Sequence, residues 1–132
     1  MKRLVVVCAV MLCGVTARAD ILKNIPYNKG PIEVSQWLLN QETSLRINNY
    51  SVWLSPNFTP NLRLVSLSVW LAGQINASEC KAIGSGLFAD AEFIPLDKEQ
   101  IEEGQLLSIF RKRDRITVSF ERSGCNLFFY GG

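Results

Sequence analysis

Asp97, Glu99, Glu102 and Glu103 place four carboxylates within seven residues, with Glu79, Asp90 and Glu92 upstream. Two carboxyl groups facing each other across a cleft can serve as acid and base on a glycosidic bond. A simpler reading is that the cluster sits at the N-terminal end of a helix. There the helix dipole favours each negative charge by roughly 0.3–1 kcal/mol. Nothing in the spacing marks any of these carboxylates as desolvated, so no catalytic residue is assigned.

Histidine is absent from all 132 residues. That excludes Ser-His and Cys-His nucleophilic pairs, imidazole proton transfer and His-ligated metals. With the two downstream cysteines expected in a disulfide, no zinc ligand set remains and no metal or cofactor is expected. Gly84-Ser85-Gly86 is too short for a phosphate loop and lacks the following lysine.

Arg111-Lys112-Arg113-Asp114-Arg115 is the only basic run. Arg111, Arg113 and Arg115 are candidate contacts for a phosphate, a sulfated glycan or an anionic headgroup. Asp114 interrupts the run, and cations at a helix C-terminus would also complement its dipole. The aromatic candidates are Tyr50, Trp53 and Trp70. Trp53 and Trp70 fall on the more polar phase of two neighbouring expected strands, beside serines. Exposed indoles there would make a platform for a sugar ring or a partner protein. If each sheet face is covered by a helix, both indoles are core instead. Asn49-Tyr50-Ser51, Asn57-Phe58-Thr59 and Asn76-Ala77-Ser78 match the N-glycosylation sequon, a match that carries weight only in a eukaryotic secretory protein.

The start of the chain sets the compartment in which this chemistry is expected. Met1-Lys2-Arg3 is a basic n-region, and Leu4 to Val15 is an apolar run of 12 residues. Ala17-Arg18-Ala19 then offers small residues to a signal peptidase. The run is short of the roughly 20 residues that span a bilayer. Residues 1–19 therefore read as a cleavable signal peptide, and 20–132 as one secreted or periplasmic domain. Leu12 before Cys13 and Val7 before Cys8 argue against a lipid anchor. Cleavage removes Lys2, Arg3 and Arg18 and moves the formal charge from +2 to −1, so nucleic acid is not an expected partner. Cys80 and Cys125 alone remain, an even pair with one connectivity in an oxidising compartment.

The elements that position these residues follow from periodicity. Pro31 suits a helix start, and Val34, Trp37 and Leu38 fall at helical spacing over 32–44. Residues 45–54 read as a strand, 55–61 as a loop with two prolines, and 62–72 as the clearest strand, with Val65, Leu67, Val69 and Leu71 on one face. Residues 80–94, broken by Gly84-Ser85-Gly86, read as one or two short strands. Asp97 and Gln100 form a capping box that opens a helix over 98–112, weakened at Gly104. Ile116, Val118 and Phe120 alternate with polar residues, and after a turn at 122–124 the chain returns from Cys125 to Tyr130, a β-hairpin.

The expected fold is α+β: a mainly antiparallel sheet, two helices, a C-terminal β-hairpin and one disulfide. A small OB-like barrel with one long helix is the alternative. The expected function is non-enzymatic: an exported binding or accessory protein of the bacterial envelope with a protein partner, either an inhibitor or immunity protein or a secretion or surface-structure assembly factor. A receptor- or glycan-binding subunit of a secreted toxin or lectin is the second reading, and a carboxylate-based glycan hydrolase the third.

Overall fold

The structure is a computed structural model that describes residues 22–121 and 124–131. The expected signal peptide and the turn at 122–123 lie outside the described residues. The described elements are α1 (Pro31–Ser44), β1 (Ser51–Phe58), β2 (Leu64–Ala72), α2 (Ala77–Leu87), β3 (Glu92–Ile94), α3 (Lys98–Glu102), β4 (Gln105–Arg111), β5 (Asp114–Glu121) and β6 (Gly124–Gly131).

The six strands form one antiparallel sheet in the order β1-β2-β6-β5-β4-β3. Both ends of that order are free edges, so the sheet is open and the barrel alternative does not hold. The C-terminal hairpin is β5–β6, and β6 inserts between β2 and β5. One sheet face carries the core: Leu67, Val69 and Leu71 of β2, Leu127 and Phe129 of β6, Ile116 and Val118 of β5, and Ile109 of β4, all essentially inaccessible. Each such side chain contributes roughly 1.5–3 kcal/mol of burial energy. Val34 of α1, Leu87 of α2, and Leu22 and Ile25 of the N-terminal segment pack into the same cluster. The Cys80–Cys125 disulfide fastens α2 to β6 across this core, with the Cα atoms 5.5 Å apart.

Three local expectations change. Of the stretch 80–94, only Glu92–Ile94 is the expected short strand, and residues 77–87 form a helix. Asn76 caps it by accepting from the Glu79 N–H, and Glu79 accepts from the Asn76 N–H. Gly84 marks a close approach in this helix, buried against Val118 and Leu107. The helix opened by the Asp97–Gln100 capping box ends at Glu102, because Gly104 takes a φ of +92° that turns the chain into β4. The apolar residues expected on one long helix, Leu106, Leu107, Ile109 and Phe110, instead belong to that strand. Finally, β1 begins at Ser51, not at residue 45, and runs through Pro56 to Phe58, where a loop was expected. As an edge strand it tolerates the missing N–H.

Candidate functional site

The second face of the sheet is where the candidate indoles lie. In an antiparallel sheet, opposed residues share a face, so the register can be followed across it. Trp53 opposes Trp70, Trp70 opposes Asn126, Asn126 opposes Ser119, and Ser119 opposes Gln105. This row crosses five strands, about 19 Å at the usual strand spacing. The next row along the strands is Ser55, Ser68, Phe128, Thr117, Ser108 and Ile94. The third is Asn57, Ser66, Tyr130, Arg115, Phe110 and Glu92.

No core residue of α1 or α2 reaches this face. Val34, Cys80, Gly84 and Leu87 are all buried on the opposite side. Trp53 accordingly stays 65% exposed, and Phe110 is also exposed. Trp70, Phe128 and Tyr130 are half-buried. The Phe128 and Tyr130 ring centroids are 5.6 Å apart, and the Arg115 guanidinium stands 5.8 Å above the Phe110 ring. Between these large side chains the small polar ones are shielded: Ser66, Ser108, Ser119 and Asn126 are buried. Asn57 donates to the Ser66 hydroxyl at 3.0 Å. Asn126 Oδ1 has no hydrogen-bond partner among the described residues, an arrangement that costs about 1–3 kcal/mol when left unmet.

A shallow groove of about 400 Å³ runs along β5 and β6 on this face, between Glu103, Gln105 and Glu121 at one end and Tyr130 at the other. The Gly104 carbonyl accepts from the Phe120 N–H at 3.1 Å, which holds the Glu103 turn beside β5. Ser119 Oγ donates to Glu121 Oε2 at 3.5 Å.

The remaining candidates separate. Tyr50 sits on the other phase, its ring against Gly73, lining a groove of about 310 Å³ with Glu42, Leu45, Arg46, Val52 and Leu54. The basic run does not assemble into one site. Arg115 joins the open face, and Arg113 is exposed in the β4–β5 turn. Arg111 turns into the core side, where Nε and Nη2 each donate to an Asp114 carboxylate oxygen at 2.9 Å. Arg111 Nη2 also donates to the Leu22 carbonyl at 2.9 Å, and its guanidinium lies 5.4 Å from the Phe129 ring centre. Tyr27 donates its hydroxyl to Asp114 at 3.0 Å. Burial, and then the Asp114 carboxylate, push the Tyr27 phenol far above the ordinary tyrosine range. This triad ties the N-terminal segment to the end of the sheet.

Two of the candidate carboxylates serve as helix caps. Asp97 accepts from the Gln100 N–H at 2.8 Å as a helix cap, and Glu79 caps α2. Among the described residues, no three His, Cys, Asp or Glu side chains group as a metal site, and no helix is long and apolar enough to cross a membrane. The three sequons start at exposed Asn49, Asn57 and Asn76, the last two already engaged as a cross-strand donor and a helix cap.

Phe128, Tyr130, Asn126 and Gln105 were not among the sequence candidates. The β6 segment Cys125-Asn126-Leu127-Phe128-Phe129-Tyr130 is apolar on both phases, so alternation could not separate its two faces. Asn126, the one polar residue in that run, was the available signal. No known protein family, curated protein or solved structure matches this chain.

Proposed function

We propose that this chain is an exported, non-enzymatic binding protein of the bacterial envelope, periplasmic or secreted, that holds a protein partner on the open face of its sheet. The observation that carries the reading is the Trp53–Trp70 pair, directly opposed on the sheet face turned away from the core. Indoles in such positions contribute disproportionately to protein interfaces. The rigid six-stranded sheet beneath them presents its surface without a large ordering cost. The disulfide and the leader-like first 19 residues support export. Inhibition of an enzyme or toxin, or assembly of a secretion or surface structure, are the jobs that fit this class.

A second reading is a glycan site on the same face. It is favoured by one observation: Trp70 continues in register into Asn126, Ser119 and Gln105, a stacking surface beside amides and a hydroxyl. Carboxylate-based glycan hydrolysis draws no support from Asp97 and Glu79, whose side chains are committed to helix caps.

The test is capture from native envelope extract with the oxidised protein expressed with its own leader. A partner held by the wild type should be lost with Trp53→Ala and Trp70→Ala variants that melt cooperatively and retain the disulfide. Retention of the same partner by both variants would contradict the reading. N-terminal sequencing should place the start of the native protein at Asp20, and a start at Met1 would contradict the export part.

A further inference from the structure

The groove along β5 and β6 has chemistry that the indole pair does not share. Among the described residues its charged lining, Glu103 and Glu121, is acidic, and no lysine or arginine is among them. Phe128 and Tyr130 supply ring faces, and Gln105 and Asn126 supply amides. Asn126 is only 7% exposed, and its Oδ1 has no partner among the described residues. Arg115 opposes Tyr130 at the end of the groove, with its guanidinium turned toward β4, 5.8 Å from the Phe110 ring centre. The described residues thus offer the groove two carboxylates, an unmet amide carbonyl and π faces, with no cation among them.

We propose that this groove receives an arginine side chain of the protein partner that covers the open face. The proposal rests on the protein-binding reading above and names the chemistry recognised there. A guanidinium carries five N–H donors in a plane. It can meet the acceptors of Glu103, Glu121 and Asn126 at its edge while its flat face lies on Phe128 or Tyr130. A neutral sugar would use the amides and rings but would leave the two carboxylates uncompensated. An anionic ligand would be repelled by them.

The probe is N-acetyl-arginine amide, titrated into the ¹⁵N-labelled, oxidised protein and followed by two-dimensional NMR. N-acetyl-citrulline amide, equal in shape but uncharged, and methyl glucoside serve as comparisons. The arginine compound should shift the Asn126 side-chain amide and the Thr117 and Ser119 backbone signals. Citrulline should bind about tenfold more weakly or worse, and Glu121→Gln and Glu103→Gln should each weaken arginine binding several-fold. Binding should also fall with added salt. Both glutamates are exposed, so these variants test charge and not folding. An unshifted Asn126 amide, equal binding of citrulline, or preference for the glucoside would each overturn the proposal.

Trp53→Ala separates this result from the function beneath it, because Trp53 does not line the groove. Arginine binding should be unchanged in that variant while partner capture is lost. Failed arginine binding with capture still dependent on Trp53 overturns the groove alone. Capture indifferent to Trp53 overturns the open-face reading.

Discussion

Trp53 of β1 and Trp70 of β2 stand directly opposite each other, one indole per strand, on the sheet face that faces away from the core. Cross-strand aromatic pairs contribute roughly 0.5–1 kcal/mol beyond their separate burial. A double-mutant cycle with Trp53→Ala and Trp70→Ala, read by urea unfolding, should return a coupling of about that size. Because Trp53 is 65% exposed, its single substitution should cost about 1 kcal/mol or less. A coupling near zero would mean the indoles do not touch in solution.

The Arg111–Asp114–Tyr27 triad predicts both a mutational and a pH effect. The Arg111 and Asp114 side chains are 17% and 2% exposed, and losing one partner of a buried pair costs several kcal/mol. Asp114→Asn should therefore lower stability by about 3 kcal/mol. Tyr27 keeps its proton in the folded state well past pH 10, because burial and Asp114 raise its pKa. The unfolded chain loses that proton near the ordinary tyrosine value of about 10. Above that pH the folded state binds more protons than the unfolded one, so stability falls as pH rises. In Tyr27→Phe this alkaline decline should be shallower. An equal slope in both proteins would contradict the burial of the phenol.

Two glycines two residues apart on α2 should respond in opposite directions. A Cβ on Gly84 would stand 2.9 Å from Val118 Cγ2 and 3.1 Å from Leu107 Cδ1, whereas one on Gly86 would meet nothing within 4 Å. Val118 is fully buried and β-branched, so it yields poorly. Overpacking costs about 1–3 kcal/mol, against about 1 kcal/mol gained in helix propensity. Gly84→Ala should be destabilising by about 1 kcal/mol and Gly86→Ala stabilising by about 0.5–1 kcal/mol, measured as shifts in the urea midpoint. The same sign for both would put α2 in the wrong register on the sheet.

This helix also shows where the sequence was legible and where it was not. The hairpin β5–β6, the strand β2, α1 and the Cys80–Cys125 staple follow from alternation, helical spacing and the compartment. The polar phase of Trp53 and Trp70 was readable because serines share it. Helix α2 was not readable, because Gly84 and Gly86 look like breaks until the close approach of Val118 is known. Its Asn76–Glu79 capping box was a usable signal. The segment 98–112 was ambiguous because its apolar residues fit helix and strand alike, and only the left-handed turn at Gly104 decides between them. Arg111 shares a basic run with Arg113 and Arg115. Its fate depends on Asp114 and Leu22, and the second of these is 89 residues away.

The disulfide should be a major support. It closes a span of 45 residues between α2 and β6, for which chain entropy gives about 4 kcal/mol. The paired Cys80→Ala and Cys125→Ala variant should lose a comparable amount in urea unfolding. A loss under about 1 kcal/mol would assign the stability of the fold to the sheet core alone.

The central claim is that the sheet face turned away from the core is the working surface, and site-specific photocrosslinking in native cells tests it most directly. A benzophenone side chain placed at Trp53 or Phe110 on the open face should yield a discrete adduct with a partner protein. The same group at Ala82, exposed on α2 on the far side of the sheet, should yield none. Adducts from Ala82 with none from Trp53 or Phe110 would contradict the account.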